Sequence, residues 1–305
     1  MAVKHKLSGI FSPVLTPFKT DLSPDTQAFV RHCKWLIASE VGLAVFGTNS
    51  EANSLSVGER KGLLDALLEA GVPASRLMPG TGCCSLTDSV ELTRHATSAG
   101  VGGVLMLPPF YYKGVSDEGL FRNFAEIIER VGDSRLRIYL YHIPPVAQVP
   151  ISLNLIERLL KVYPKAIAGI KDSSGEWGNT EAMLKQFQPE GFDVFAGSEV
   201  FLLPTLRAGG AGCITATGNV NPSPMVALYK SWQGPQADAQ QAGLNETRAA
   251  FQKFSMIPAM KAAIAKYGKS ASWKTVRPPL VELSAEQENA LLNSLEAIGF
   301  KMPGI

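Results

Sequence analysis

A lysine closes the apolar run Ala166-Ile167-Ala168-Gly169-Ile170, and lysine is costly in such a place. Burial disfavours the charged ammonium and favours the neutral amine, which is the form that attacks a carbonyl. Lys171 is therefore read as a nucleophile able to form a Schiff base. The competing reading is an ammonium that snorkels to the rim of the fold or pairs with a carboxylate. A Schiff-base lysine needs a partner that moves protons to and from the carbinolamine and the substrate hydroxyl. Tyr141, at the end of the preceding run Arg137-Ile138-Tyr139-Leu140, can do this. Its competing reading is a packed aromatic. Thr48 and Asn49, in the turn Gly47-Thr48-Asn49-Ser50-Glu51, could orient the phenol and hold a carboxylate through side-chain and backbone donors. Lys161 and Lys165 are weaker nucleophile candidates, since they precede the run that ends in Lys171.

Metal chemistry finds little support in the residues. Of the four histidines, His5, His32 and His95 fall on the N-terminal segment or on helices. His142 follows Tyr141 on an extended run and should point the opposite way. A divalent site would need carboxylates and imidazoles converging on run ends, where only Glu51, Asp172 and Glu199 stand. Neither a metal nor an organic cofactor is expected. Gly209-Gly210-Ala211-Gly212 precedes an apolar run and reads as a tight turn, not a phosphate cradle. Cys33, Cys83, Cys84 and Cys213 form no Cys-x-x-Cys pair, and four thiols in 305 residues suit a reducing compartment. They read as small buried hydrophobes. Cys83 and Cys84 keep a second reading as reactive thiols, because their run ends beside them.

The elements that must hold these residues recur regularly. Eight short apolar runs start at Gly9, Gly42, Leu77, Gly102, Arg137, Ile167, Asp193 and Gly212. Their apolar cores are continuous, as expected of strands buried on both faces. Between them, Phe29 to Leu36, Arg60 to Leu68, Val90 to Ala99, Leu120 to Ile128 and Leu153 to Leu160 carry apolar residues at helical spacing. Ser23-Pro24-Asp25, Ser56, Ser85, Ser116-Asp117-Glu118 and Ser152 stand where helix caps belong. Run starts recur about every 29 residues, one strand-helix unit, so the expected fold is α/β, a (β/α)₈ barrel. Residues 1–230 form its catalytic domain. Residues 231–305 are expected as a C-terminal helical extension, with helices over Asp238 to Phe254, Ile257 to Tyr267 and Ala285 to Ile298. An open doubly wound sheet is the rival, but no Gly-x-Gly-x-x-Gly follows the first run. In such a barrel, chemistry sits at the carboxyl ends of the strands, which is where Lys171 and Tyr141 fall.

Composition narrows the class further. The chain is 46% apolar and 18% charged, with 29 basic and 27 acidic side chains, which excludes disorder and a nucleic-acid-binding field. No apolar stretch approaches the ~20 residues of a membrane span. Pro and Gly come too early for a signal-peptide core, so the expected location is cytoplasmic.

The sequence resembles the dihydrodipicolinate synthase/N-acetylneuraminate lyase family of class I aldolases, from about Gly9 to Leu283. The resemblance rests on Gly47-Thr48-Asn49-Ser50-Glu51, Pro109-Phe110-Tyr111, Tyr141-His142-Ile143-Pro144 and Gly169-Ile170-Lys171-Asp172-Ser173-Ser174-Gly175. It continues in Gly209-Gly210-Ala211-Gly212, Ile257-Pro258-Ala259-Met260-Lys261 and Arg277-Pro278-Pro279-Leu280. It implies that Lys171 forms the Schiff base with pyruvate or another 2-oxo acid and that Tyr141 relays protons. It further implies that Thr48 links Tyr141 to Tyr111, and that the turn at Gly47, Thr48, Asn49 and Ser50 binds the carboxylate. In this family the tyrosine matched by Tyr111 completes the neighbouring subunit's site, which implies a homodimer, usually within a homotetramer.

The departures bear on the substrate. Dihydrodipicolinate synthases carry an arginine five residues after the tyrosine, and here that position is Val146. Without a guanidinium a second carboxylate loses its bidentate partner, which argues against lysine biosynthesis. Ser198 stands where sialic-acid lyases carry an acidic sugar-binding residue, while Glu199 and Thr215 remain candidates for binding hydroxyls. The stretch from Lys171 to Gly175 is similar to keto-deoxy sugar-acid dehydratases and hydroxy-oxo-acid aldolases. The expected activity is aldol cleavage or dehydration of a 4-hydroxy-2-oxo acid or 2-keto-3-deoxy sugar acid. The alternatives are condensation of pyruvate with aspartate semialdehyde, and a non-catalytic oxo-acid-binding protein.

Overall fold

The computed structural model describes residues 7–305, so His5 lies outside the described residues. Among the described residues seven strands are formed: β1 (Gly9–Ser12), β2 (Gly42–Leu43), β3 (Val104–Met106), β4 (Ile138–His142), β5 (Ile167–Asp172), β6 (Asp193–Ala196) and β7 (Gly212–Ile214). Their order is β2-β1-β7-β6-β5-β4-β3. The paired registers are parallel. The expected run at Leu77 is the exception among the eight. It makes a parallel bridge, Gly80 to Leu105, and exchanges backbone bonds at Thr81 and Pro79 with Leu105. Pro79 lacks the N–H that a longer ladder requires, so this stretch is extended and paired without becoming a full strand.

The chain forms two compact units. One comprises Pro73–Ile214 with the stretch ending at Gly9. It carries β3 to β7 with the helices α3 (Leu86–Ser98), α4 (Asp117–Val131), α5 (Pro144–Ala147), α6 (Leu153–Val162), α7 (Trp177–Phe187) and α8 (Leu202–Arg207). The expected caps hold three of these helices. Ser85, Ser116 and Ser152 accept from the backbone N–H groups of Asp88, Gly119 and Leu155. Every residue of β4 and β5 is buried, as the continuous apolar runs require. Gly169 is the tight point of β5: a Cβ there would lie 2.2 Å from the Asp193 carbonyl and 2.8 Å from ring carbons of Tyr139.

The other unit comprises Ile10–Val72 and Thr215–Ile305. It holds β2, most of β1 and the helices α1 (Thr26–Ala38), α2 (Val57–Glu69), α9 (Pro222–Ser231), α10 (Ala237–Gln252), α11 (Met256–Tyr267) and α12 (Ala285–Ala297). The last three lie within a residue or two of the spans expected from apolar spacing. α11 is buried along most of its length because its neighbours Leu15, Phe251, Trp273, Leu291 and Phe300 close over Ala259 to Ala265.

Candidate active site

Lys171 sits one residue before the end of β5 and is 2% exposed. Its register partner on β4 is Tyr141, also buried. The side chains of directly paired parallel residues lie on the same face, and here the Lys171 Nζ stands 4.1 Å above the Tyr141 ring centroid. The two residues chosen from the sequence for amine and phenol chemistry are therefore in contact.

The next position along each strand turns away from them, and it builds the support. Asp172 accepts from Ser174 N–H at 3.0 Å, Asn179 Nδ2 at 3.1 Å and Thr180 Oγ1 at 2.6 Å. It thus ties the strand end to α7. His142 Nδ1 accepts the Ile151 N–H at 2.9 Å, so its ring serves the segment after α5. Burial pushes the His142 pKa down, and the Asp172 charge partly opposes that shift. Among the described residues no group of three or more His, Cys, Asp or Glu side chains could hold a metal ion.

Tyr111 and Tyr112 occupy the loop after β3, 74% and 73% exposed, with their rings edge-to-face at 5.3 Å. Lys113 fastens this loop by donating to the carbonyls of Phe110 and Ala147. Val146, on α5, is 61% exposed. A lysine thus reaches the same short helix that lacks the arginine. Ser198 caps the turn after β6 by accepting from Val200 N–H, and Glu199 beside it is fully buried. Cys83 is half-buried and Cys84 exposed, and neither is joined in a disulfide.

In the other unit, Gly47 to Glu51 form a compact turn around a short 3-10 segment, Thr48–Ser50. The Gly47 carbonyl accepts from Ser50 and Ala52 N–H, and the Thr48 carbonyl from Glu51 N–H. The Ser50 hydroxyl accepts the Gly47 N–H at 3.1 Å and braces the turn from inside. Thr48 and Asn49 remain half-buried at its rim. Thr215, at the end of β7, is fully buried, and Arg248 Nη1 on α10 donates to its hydroxyl at 3.3 Å. Arg248 was not singled out from the sequence. It lies in a helix of ordinary amphipathic pattern, and only the tertiary fold brings it to a strand end.

Fold and site together define a parallel α/β protein that presents an amine beside a phenol at the carboxyl ends of neighbouring strands. The chain belongs to the dihydrodipicolinate synthetase family, whose model matches residues 6–298. It is 33% identical to a DapA-like lyase of Chloroflexus aurantiacus over 95% of this chain and 96% of that one. The solved dihydrodipicolinate synthase of Agrobacterium tumefaciens is 30% identical and covers 95% of this chain and 99% of its own, with a TM-score of 0.87. YagE, a prophage protein of the dihydrodipicolinic acid synthase family from E. coli K12 solved with pyruvate, is 27% identical with a TM-score of 0.86, covering 96% and 99%. The fold is thus the TIM-barrel-like α/β fold of this family with C-terminal helices, and the chain is an enzyme of the lyase class.

Proposed function

We propose that the protein is a class I lyase that cleaves or dehydrates a 4-hydroxy-2-oxo acid or a 2-keto-3-deoxy sugar acid through a Schiff base on Lys171. The observation that carries this reading is the buried Lys171 in register with Tyr141, its amine 4.1 Å over the phenol ring. The neutral amine adds to the C2 carbonyl, and Tyr141 passes the proton that lets the carbinolamine lose water. The protonated imine then accepts the electron pair released from C3. Removal of the C4 hydroxyl proton with cleavage of C3–C4 yields an aldehyde and an enamine, which takes a proton back at C3 to restore the imine; removal of a C3 proton followed by loss of the C4 hydroxyl, protonated and released as water, yields the dehydrated product. Hydrolysis of the imine returns the amine. Thr48 and Asn49 would hold the substrate carboxylate, with Ser198, Glu199 and Thr215 toward its hydroxyls. The pyruvate bound to YagE supports a 2-oxo acid as the common element.

Borohydride trapping with pyruvate, followed by peptide mass mapping, tests the mechanism. A reduced adduct on Lys171, absent from Lys171→Ala, is expected; trapping that survives in Lys171→Ala sinks it. Condensation of pyruvate with aspartate semialdehyde is the second reading, supported by the likeness to the Agrobacterium tumefaciens synthase. Val146 speaks against it, because no guanidinium stands there for a second carboxylate. The highly exposed Tyr111 and Tyr112 support a homodimer or homotetramer in which a second copy covers them. The catalytic part is taken as residues 1–230 with 231–305 as its helical extension, acting in the cytoplasm without a cofactor.

A further inference from the structure

Beneath the turn at Gly47 to Glu51 lies an ion pair that the reaction itself does not use. Glu51 and Lys261 are 1% and 0% exposed, and the Lys261 ammonium donates to Glu51 Oε1. It donates also to the Thr275 carbonyl at 2.8 Å. The second carboxylate oxygen of Glu51 accepts the Arg277 N–H at 2.9 Å. Phe18 floors the pair, with the ammonium 4.5 Å from its ring centroid and the Arg277 guanidinium 4.7 Å. Both oxygens of Glu51 are thus held by α11 and the segment after it, although 210 residues separate Glu51 from Lys261.

An ion pair withdrawn this far from water gains little stability over apolar residues of similar volume, so its retention points to a need for geometry. Glu51 itself adopts a left-handed backbone, φ 55° and ψ 35°, which a side chain with a Cβ tolerates only when its surroundings enforce it. That residue closes the 3-10 segment whose rim is Thr48 and Asn49. Thr16 secures the same turn from the other side, its hydroxyl donating to the Ser50 carbonyl at 2.8 Å.

We infer that Lys261 is a positioning residue: through Glu51 it fixes the Thr48–Asn49 turn in the shape that receives the substrate carboxylate. This rests on the reading of that turn as the carboxylate site. Lys261 touches no substrate, and its charge is spent on the turn. Burial pulls its pKa down to about 8 while Glu51 opposes the shift. The other charged groups acting on it are Glu282, which favours the ammonium, and Arg277, which disfavours it.

The test compares wild type, Lys261→Met and the charge-neutral Lys261→Met/Glu51→Gln, the last leaving no buried charge without a partner. Borohydride trapping is measured against pyruvate concentration and against hydroxyacetone, a carbonyl without a carboxylate. Loss of a preformed, charge-assisted carboxylate site predicts a half-saturating pyruvate concentration raised about tenfold or more in both variants. The maximal trapping rate and the trapping of hydroxyacetone stay near wild type. An unchanged pyruvate requirement in the folded double variant, or a parallel loss with hydroxyacetone, overturns the inference. If wild type traps no pyruvate, the proposed function fails. Amide exchange at Ser50, Glu51 and Ala52 then decides this inference separately: faster exchange in both variants supports it, and unchanged exchange overturns it.

Discussion

The ring and the hydroxyl of Tyr141 have separable tasks. The ring packs against the Lys171 amine at 4.1 Å, while the hydroxyl is the group that can move a proton. Tyr141→Phe keeps the first and deletes the second. Turnover of the cognate 2-oxo acid should fall by roughly 10²–10⁴-fold, the range for loss of a positioned acid-base group, with the variant still folded. Turnover within a few-fold of wild type would remove Tyr141 from the proton path. Both residues were legible in the sequence because a lysine and a tyrosine ending apolar runs stand out against their neighbours. Lys261 was visible only as part of a tail motif. Nothing local marks its partner, since Glu51 lies in another segment and meets it only in the fold. Arg248 and Lys113 escaped for the same reason: each is a common helix or loop cation until tertiary contacts give it an address.

Strands and helices were legible to different degrees. Helices declare themselves by period and cap, and α1, α2, α3, α4 and α6 all begin on the residues that cap them, from Asp25 to Ser152. Strand length depends on the neighbour's backbone, which no apolar run encodes. β2 accordingly shrinks to Gly42–Leu43, and the Leu77 stretch stays a bridge. β5 shows what the ladder demands. Gly169 faces Asp193 on β6 and the Tyr139 ring on β4 at distances no Cβ could share. Gly169→Ala must therefore push apart the strands that carry Lys171 and Tyr141. Overpacking of this kind costs about 1–3 kcal/mol, and contact with backbone places this site toward the upper end. The expected result is a lowered melting temperature together with reduced trapping at Lys171. A variant that melts like wild type and traps normally would show that β5 bends without consequence.

The pH dependence of stability for the whole chain should carry the mark of one buried histidine. His32, on α1, is 3% exposed and stacks on Trp35 at 5.5 Å, with Trp273 edge-on at 5.0 Å. Its Nε2 lies 3.3 Å from Asn219 Oδ1. Asn219 spends its amide hydrogens on the Pro13 and Ala216 carbonyls, and its oxygen also accepts the Leu15 N–H. The oxygen can only accept, so His32 donates from Nε2 and is the neutral tautomer, with Nδ1 buried and unbonded. Burial pulls its pKa from 6.5 down to about 4, against the smaller upward pull of Asn219. The sign follows from linkage: the unfolded chain takes up a proton near 6.5 and the native chain resists until about 4. This contribution is complete above 6.5 and disappears as pH falls toward 4. At about 1.4 kcal/mol per unit, the displacement amounts to on the order of 3 kcal/mol. Glu59, held down to about 2 chiefly by the Arg277 hydrogen bond, loses its contribution at lower pH, below the ordinary carboxylate value of 4.5. His142 shifts in the same direction as His32 and remains in any variant of it. His32→Gln, which keeps a donor for Asn219, should therefore flatten the fall in denaturation free energy between pH 6.5 and 4 without abolishing it. Urea titrations at half-unit steps of pH measure that slope, and a profile identical to wild type would mean that His32 takes up its proton at the same pH folded and unfolded.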